Sequence, residues 1–444
     1  MKVKAIIILI ITFLPGILFA QNDNTLIKKW SLSDCINYAL EQNIQVRQSI
    51  LSNMANEVNK NQALAQKMPS LNASVRQNFS WAQTEDYNTG STSFSGSNNT
   101  SYGLNSNITV YNAQRLSNLI KQAELDLQAG IYDSETIKES ITISILNAFL
   151  QVVANEENVK NAQSQIDATT EQLQLSEARL ESGIISRSDY LQVKSQLATE
   201  KLTLANAESQ YAISKVNLMQ LMELPVDDNF AIERPVMNAT IDKNLSPNAA
   251  DVYANALEIK PQVKSVEYQK ESAALNEKIS RAGFYPTVTA DAGVSTGYSS
   301  MMDPNYFGQL GDQVTPTVGV SVAIPIFQKK QVKSSVSIAK INYQNAELNE
   351  INTKNQLRKE IEQVCVDVVS AQSQYEASLE QYNSTQESYA VAEERFNNGL
   401  INSVDFLFEK TNLIVAENEL LKSQFNLIFN YKILDFYLGN PITL

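Results

Sequence analysis

Four short segments of the chain alternate apolar and polar side chains, as β-strands do when their two faces meet different surroundings. In the first segment one face carries Leu71, Ala73, Val75, Phe79 and Trp81. The alternation predicts strands at about 69–81, 101–112, 286–298 and 314–327. Segments of about ten such residues are typical of a membrane β-barrel, with lipid outside and a wet lumen inside. A sheet with one face on an ordinary core predicts the same alternation, so for a single hairpin both interpretations stay open.

The segments between the paired strands are long and polar. Residues 82–100 and 299–313 are rich in Ser, Asn and Gly and have no helical period. They are predicted to be extracellular loops. Phe79, Trp81, Tyr102 and Tyr298 lie at the strand ends next to these loops, where a barrel has its aromatic girdle.

Most of the remaining chain has an apolar repeat of seven residues. One series falls in each half of the chain: Val152, Val159, Ile166, Leu173 and Leu180, and then Val368, Tyr375, Tyr382, Tyr389 and Phe396. A sustained seven-residue repeat indicates helices wound in a left-handed coiled coil. The pattern predicts an antiparallel coiled-coil hairpin in each half, with tips at about 182–188 and 398–404. Shorter helices are predicted at 32–67 and 249–282.

The two halves repeat one another. Gly183 and Gly399 lie 216 residues apart, and so do Asp189 and Asp405. A period this long indicates a duplicated module rather than a solenoid of short repeats. The predicted division is a first repeat at 21–222, a linker at 223–246 and a second repeat at 247–444, after a targeting segment.

Residues 1–20 are predicted to be a signal peptide. Lys2 and Lys4 precede an apolar run, and Ala20 ends an imperfect cleavage site. Beyond this segment the chain has no run of 18 apolar residues. An exported chain of this kind that crosses a membrane is therefore expected to do so with strands.

Composition argues against several classes of function. The chain of 444 residues has no histidine and a net charge of −13. Because histidine is the commonest acid/base group and metal ligand, its absence argues against an enzyme or a metal site, and no cofactor is predicted. The acidic balance argues against a nucleic-acid partner. Cys35 and Cys365 are either two buried thiols, the favoured interpretation, or one disulfide.

Taken together, the strands, the duplication and the two tips resemble the TolC-like outer-membrane efflux proteins. The tip motifs begin Arg179-Leu180 and Arg395-Phe396, and each continues to its glycine and aspartate. The resemblance covers about residues 30–441. It implies an α+β membrane protein in which each chain adds four strands to a trimeric, 12-stranded outer-membrane β-barrel. It further implies that long antiparallel coiled-coil helices form a periplasmic α-barrel.

The same resemblance implies a function and partners. Such a homotrimer is a passive exit duct in the outer membrane of a Gram-negative bacterium, surrounded by outer-membrane lipid. Its partners are a periplasmic adaptor protein and an inner-membrane transporter, in an efflux or type I secretion system. Four strands cannot close a barrel, and open edges are not tolerated in lipid, so other copies of the chain are needed in any case.

The tips carry the candidate functional residues. Three-fold symmetry would turn Asp189 and Asp405 into carboxylate rings that select cations and help to gate the mouth. Helix capping, by Ser186 before Asp189 and by Asn402 before Asp405, explains the same residues without a gate and stays open. In the family an arginine near the second tip pairs with the first-tip aspartate. That position is Ile401 here, and Arg187 is the candidate substitute.

Other tip residues are candidates through the resemblance. Phe408 occupies a site where relatives have a second carboxylate, so the constriction is expected to be partly apolar. Candidates for adaptor contact are Gly183, Ile184, Ile185, Gly399, Leu400 and Ile401. A turn glycine with aliphatic residues closing the hairpin is an equally good explanation for this set.

A second class of function stays open from the residues alone. An exported coiled-coil scaffold or surface-adhesion protein without a pore would explain the heptads. It would give no role to the four amphipathic strands, which lie at matching positions in the two halves.

Overall fold

Long helices and a small antiparallel sheet dominate a computed structural model of the protein, which describes residues 29–85, 90–234, 248–303 and 305–442. The predicted signal peptide and most of the predicted linker lie outside these ranges. In the first half the elements are β1 (Lys29–Trp30), α1 (Leu32–Gln42), α2 (Ile44–Ala65), β2 (Ser70–Glu85), β3 (Thr92–Tyr111), α3 (Arg115–Glu181), α4 (Arg187–Leu221) and β4 (Ala231–Ile232).

The second half has the same order of main elements. They are α5 (Ala249–Ile259), α6 (Pro261–Arg281), β5 (Thr287–Ser299), α7 (Tyr306–Asp312), β6 (Thr315–Ala323), α8 (Gln331–Asn397) and α9 (Ser403–Tyr437). The long helices match in length, because α3 and α8 each have 67 residues and α4 and α9 each have 35. At 1.5 Å per residue these helices are about 100 Å and about 50 Å long.

The observed elements differ from the predicted ones in the shorter helices and in the predicted loops. The helices predicted at 32–67 and 249–282 are each broken once, at Asn43 and at Lys260. Strands β2 and β3 continue into the segment predicted as a loop, since β2 reaches Glu85 and β3 begins at Thr92. A strand ladder is made by backbone groups, so Ser- and Asn-rich residues can extend it without an apolar face. The second predicted loop contains α7.

Four strands form one antiparallel sheet in the order β2-β3-β5-β6. The register pairs Ser70 with Asn107, and Thr287 with Ala323, while β3 pairs with β5. This central pairing joins the two halves of the chain, and β2 and β6 form the two edges. A separate parallel pair joins β1 with β4.

The apolar face of the sheet is bare in the single chain. Leu71 is 69% exposed and Val318 is 88% exposed. The intervening polar residues Thr317 and Ser321 are exposed as well. Because β6 is uncovered on both faces, this sheet is not the covering layer of an ordinary core. Its apolar side chains need another apolar environment.

The described core lies among the helices. One cluster is built around Ile145 and Phe149 of α3 and includes residues of α1, α4 and α9. A smaller cluster joins α5, α6, α8 and α9 around Leu357 and Ile361. Cys35 lies in the first cluster and Cys365 in the second, and both are free thiols, which confirms the favoured interpretation.

In the part of the chain that the structure describes, one helix, α3, is long and apolar enough to cross a membrane by length and composition alone. An 18-residue window of α3 has a mean hydropathy of 1.3, and 39% of that window is buried in the single chain. The apolar residues of α3 from Ile141 to Val153 belong to the core cluster with α1, α4 and α9. Helix packing within the chain therefore buries part of the apolar stretch of α3.

Candidate functional site at the hairpin tips

The two hairpin tips have the same backbone geometry. Gly183 has φ +69° and Gly399 has φ +71°. At each tip the glycine N–H donates to a carbonyl three residues back, and the next N–H donates to one five residues back. At the first tip the acceptors are Leu180 O at 3.0 Å and Arg179 O at 2.8 Å. This is the Schellman end of a helix, and it explains both glycines by the positive φ that the turn requires.

Both returning helices begin with the predicted caps. The Oγ of Ser186 accepts from the N–H of Asp189 at 3.2 Å, and Asp189 Oδ2 accepts from the Ser186 N–H at 3.1 Å. At the second tip the Oδ1 of Asn402 accepts from the N–H of Asp405 at 2.9 Å. The predicted caps are confirmed at both tips, but only at the first does the aspartate carboxylate itself take part, since at the second the Asn402 side chain caps the backbone of Asp405. Capping satisfies free N–H groups, and each aspartate places a carboxylate at the positive end of its helix dipole.

The remaining candidates lie on the surface of the tips. Ile184 is 72% and Leu400 is 73% exposed, while Ile185 and Ile401 are half-buried. Phe408 is exposed on the second turn of α9. Among the residues that the structure describes, Arg187 and Asp405 form no ion pair within the chain. Pairing of Arg187 with a tip aspartate therefore stays a prediction for an assembly of several chains.

Arg179 joins the two tips, a contact that the sequence did not predict. Its guanidinium donates to Phe396 O at 3.5 Å and to Asn397 O at 3.2 Å, and lies 5.5 Å from the centre of the Phe396 ring. The acceptors are the last carbonyls of α8. A cation at a helix C-terminus is favoured by the helix dipole, so Arg179 both caps α8 and holds it beside α3.

A buried ion pair joins the hairpins further from the tips. Lys410 Nζ of α9 lies 3.2 Å from Glu200 Oε1 of α4, and it also donates to the hydroxyl of Thr169 of α3. The side chains of Lys410 and Glu200 are only 9% and 4% exposed. Gln196 Nε2 donates to the same carboxylate oxygen at 3.1 Å. Among the described residues, Glu200 Oε2 is buried without a hydrogen-bond partner.

A signal for this pair is present in the sequence. Glu200 lies at a spacing of seven residues in a row with Val193, Ala207 and Ser214 of α4. Its counterpart 216 residues later is Ala416, which is 1% exposed. A carboxylate in such a row of small or apolar core residues requires a buried partner. The second half has alanine at the matching position and needs none. No periodicity identifies Lys410 as that partner.

A known protein family matches both halves of the chain. The family model described as outer membrane efflux protein matches residues 35–223 and again residues 252–440. These two stretches cover most of the chain and correspond to its two halves.

Curated relatives are distant in sequence. The chain is 25% identical over 214 residues to the pyoverdine export outer membrane protein OpmQ of Pseudomonas putida, a match that covers 48% of this chain and 43% of OpmQ. It is 24% identical over 351 residues to the outer membrane protein TolC of Escherichia coli, covering 74% of this chain and 69% of TolC. The chain thus spans less than half of OpmQ and about two thirds of TolC.

Solved structures show the same fold over nearly the whole chain. A crystal structure of CusC superposes with a TM-score of 0.78 at 17% identity, covering 92% of each chain. The outer membrane protein VceC of Vibrio cholerae superposes with a TM-score of 0.76 at 18% identity, covering 93% of this chain and 97% of VceC. Given the double family match and this α+β fold, the chain belongs to the outer membrane efflux protein family and is an outer-membrane protein.

Proposed function

We propose that three copies of this chain form a passive duct through the outer membrane, extended into the periplasm by the long helices. The observation that carries the proposal is the four-stranded sheet, bare on its apolar face, from whose edge β6 the chain leads into a 67-residue helix. Backbone groups at an open edge cannot be left unpaired in lipid, so β2 must pair with β6 of another copy. Three copies give about twelve strands, wide enough for a water-filled lumen.

The helices beside the sheet support the same assembly. Apolar side chains are exposed along one stripe of α2, which precedes β2, and along one stripe of α8, which follows β6. The stripes are Leu51, Met54 and Val58, and Ile338, Ile341 and Leu348. Because α2 and α8 continue from opposite edges of the sheet, joining β2 to β6 of a neighbour brings the two stripes together. A head-to-tail contact of this kind closes into a ring when the rotations between neighbours add up to a full turn, as three copies would do in the proposed trimer.

The duct has no energy source of its own and would receive substrate from a periplasmic adaptor and an inner-membrane transporter. Descent of the two halves from one duplicated module would give six similar tips in a trimer. Gly183, Ile184, Ile185, Gly399, Leu400 and Ile401 are proposed as the adaptor contact. The exposure of Ile184 and Leu400 supports this role, because exposed aliphatic tips are suited to burial by a partner.

The gate is proposed to lie at the same tips, with Asp189 and Asp405 as carboxylate rings. Arg187 and Phe408 complete the proposed constriction. Capping already engages Asp189, so its carboxylate would serve both roles. Removing both charges with Asp189→Asn and Asp405→Asn is expected to raise single-channel conductance or to weaken cation selectivity in planar bilayers. If conductance and cation selectivity are both unchanged, the two aspartates have only a role in helix capping.

The duct itself is tested with the unmodified protein. Extraction from the outer membrane is expected to require detergent, to yield a trimer, and to give single-channel conductance in planar bilayers. A soluble monomer recovered from the periplasm would overturn the duct. It would favour the scaffold without a pore.

A further inference from the structure

The short helix α7 lies on the apolar face of the sheet. Tyr102 of β3 pairs with Thr296 of β5, and Leu104 pairs with Val294. Side chains two residues apart along a strand lie on the same face, so Tyr102 shares the face of Leu104. The Tyr102 hydroxyl lies 2.6 Å from the hydroxyl of Tyr306, the first residue of α7. The chain after β5 therefore folds back over the apolar face of the sheet and not over its polar face.

Hydrogen bonds hold α7 in this position. Thr296 Oγ1, on the apolar face, donates to Leu310 O at 2.7 Å. Gln309 is fully buried, and its Nε2 donates to Ser299 O at 3.0 Å and to Met302 O at 2.6 Å. Its Oε1 accepts from the Ser299 N–H at 2.8 Å. A buried amide with its donors and its acceptor satisfied fixes the helix against the end of β5.

Along the strands, α7 lies at the end next to the predicted loops. The Tyr306 ring lies 4.8 Å from the ring of Tyr298. Tyr298 pairs with Thr100 of β3, which pairs in turn with Gln77 of β2. The next residue of β2 on this face is Phe79, which is exposed. The helix thus lies at the height of the aromatic girdle that the sequence predicts.

The surface that α7 turns away from the sheet is apolar and uncovered. Phe307 is 82% exposed, Met301 is 61% exposed and Met302 is 60% exposed. Residues 299–313 contain two aspartates and no lysine or arginine, so attraction to anionic headgroups is not what this segment offers a membrane. It offers burial of large apolar side chains, which suits the boundary between headgroups and acyl chains.

The position of α7 across the sheet favours lipid over a second copy of the chain. The contacts described above are with β3 and β5, which are the two central strands. Neighbouring copies in the proposed trimer would join at β2 and β6. The exposed apolar surface of α7 is therefore continuous with the face that would meet lipid, and lies away from the junctions between subunits.

We propose that α7 is an interfacial anchor on the outside of the barrel. It inserts Phe307, Met301 and Met302 among the lipids of the outer leaflet, and it leaves the mouth of the duct uncovered on that side. The proposal rests on the proposed duct, because only a closed barrel in a membrane brings lipid to the apolar face. The segment predicted as a second extracellular loop would then attach the barrel to the membrane.

Spin labels test where α7 lies. Phe307→Cys, Val320→Cys and Ser321→Cys are labelled separately in a background with Cys35→Ala and Cys365→Ala. Each full-length trimer is reconstituted into phosphatidylcholine vesicles, which carry no net charge. Collision of the label with oxygen, which concentrates in lipid, is compared with its collision with a water-soluble nickel chelate. Val320 on the apolar face and Ser321 on the polar face are matched controls within one strand.

The ratio of oxygen to nickel collision is expected to be several-fold higher at Phe307→Cys than at Ser321→Cys, and to approach that at Val320→Cys. A ratio at Phe307→Cys equal to that at Ser321→Cys would overturn the anchor and place α7 in water. Low collision with both reagents would overturn it as well, in favour of burial against a second copy. A label at Val320→Cys that meets water would overturn the proposed duct and the anchor together, so the two failures are distinguishable.

A second variant tests whether docking of α7 places Phe307 in lipid. Gln309→Ala removes the buried amide, so α7 should leave the sheet and the label at Phe307→Cys should collide several-fold more often with the nickel chelate. Gln313→Ala is the matched control, because Gln313 ends the same helix and is exposed. An unchanged ratio in Gln309→Ala would overturn the role of the docked helix. Recovery of the trimer shows that each variant has folded.

Discussion

Lys260 Nζ lies 3.3 Å from Glu139 Oε1, so the break between α5 and α6 is tied to the long helix α3. The same ammonium donates to Phe436 O at 3.0 Å and lies 3.1 Å from the centre of the Phe436 ring. The matching break in the first half is tied in a similar way, because Asn43 Nδ2 donates to Leu221 O at 3.0 Å. In each half a polar side chain at the helix break binds a carbonyl at the end of that half's last helix.

Replacing the Lys260 ammonium is expected to destabilise the fold. Lys260→Met leaves the Phe436 carbonyl and the Glu139 carboxylate without this donor, a loss of about 1–3 kcal/mol. Lys264→Met is the control, since Lys264 forms a partly exposed ion pair with Glu267 at 3.6 Å and its loss should change stability by less than about 1 kcal/mol. Urea unfolding followed by circular dichroism measures both. Equal midpoints for the two variants would contradict the prediction.

The Lys260 pair also predicts a dependence on pH. Burial lowers the pKa of Lys260 from its ordinary value of 10.5, although Glu139 opposes the shift. The unfolded chain therefore binds more protons than the folded chain as pH approaches 10.5, so the Lys260 contribution to stability increases with pH. As pH approaches 10.5, the free energy of unfolding should rise more steeply in the unmodified protein than in Lys260→Met. Parallel pH profiles for the two proteins would contradict this.

Burial raises the pKa of Glu139 above its ordinary value of 4.5, with Lys260 opposing the shift. The folded chain therefore holds this proton to a higher pH than the unfolded chain. The resulting contribution to stability is present below pH 4.5 and is lost as pH rises through the folded-state pKa. Glu139→Gln removes the titration, so the difference between the unmodified protein and this variant should change in that acidic window.

Adjacent residues of β6 should respond differently to a new charge. Val320 belongs to the bare apolar face, and Ser321 to the opposite face. If the apolar face meets lipid, Val320→Lys costs about 2–4 kcal/mol near the bilayer centre, whereas Ser321→Lys points into the lumen and costs much less. Yield of heat-resistant trimer and folding free energy in vesicles measure the difference. A greater loss with Ser321→Lys would assign the faces the other way round.

The tip glycines should not tolerate a side chain. Gly183→Ala and Gly399→Ala each place an L-residue at φ near +70°, which costs about 1–2 kcal/mol. A Cβ at either position meets nothing within 4 Å, so the effect comes from the backbone alone. Gly311→Ala is the control, because Gly311 is equally open but is not at positive φ. Thermal unfolding should show a loss for the tip variants and none for Gly311→Ala.

The two cysteines should behave as protected thiols. Cys35 and Cys365 are buried in separate clusters, and burial raises the pKa of the Cys365 thiol, with Glu362 adding to the shift. A smaller thiolate fraction and restricted access both slow alkylation. Maleimide should label the native protein very little and should label both cysteines in urea. A change of gel mobility on reduction would indicate a disulfide instead.

Local features of the chain were predictable because they depend on residues close in sequence. Alternation indicated the strands, and the heptads indicated the long hairpins. Ser186 before Asp189 indicated a cap, which the structure confirms. The ends of β2 and β3 and the break at Asn43 were less predictable, since polar residues join a ladder through their backbone and a broken helix keeps its apolar period.

By itself, the sequence determined the two matching halves and the turns at Gly183 and Gly399. Its two cysteines also argued against a disulfide framework. Only the tertiary structure decided that Lys410 faces Glu200 and that Arg179 ends α8. The reason is physical: a period shows which face of a helix is buried, but several helices offer an equivalent face. The partner is selected by packing among residues that lie about half the chain apart, and no local pattern records that choice.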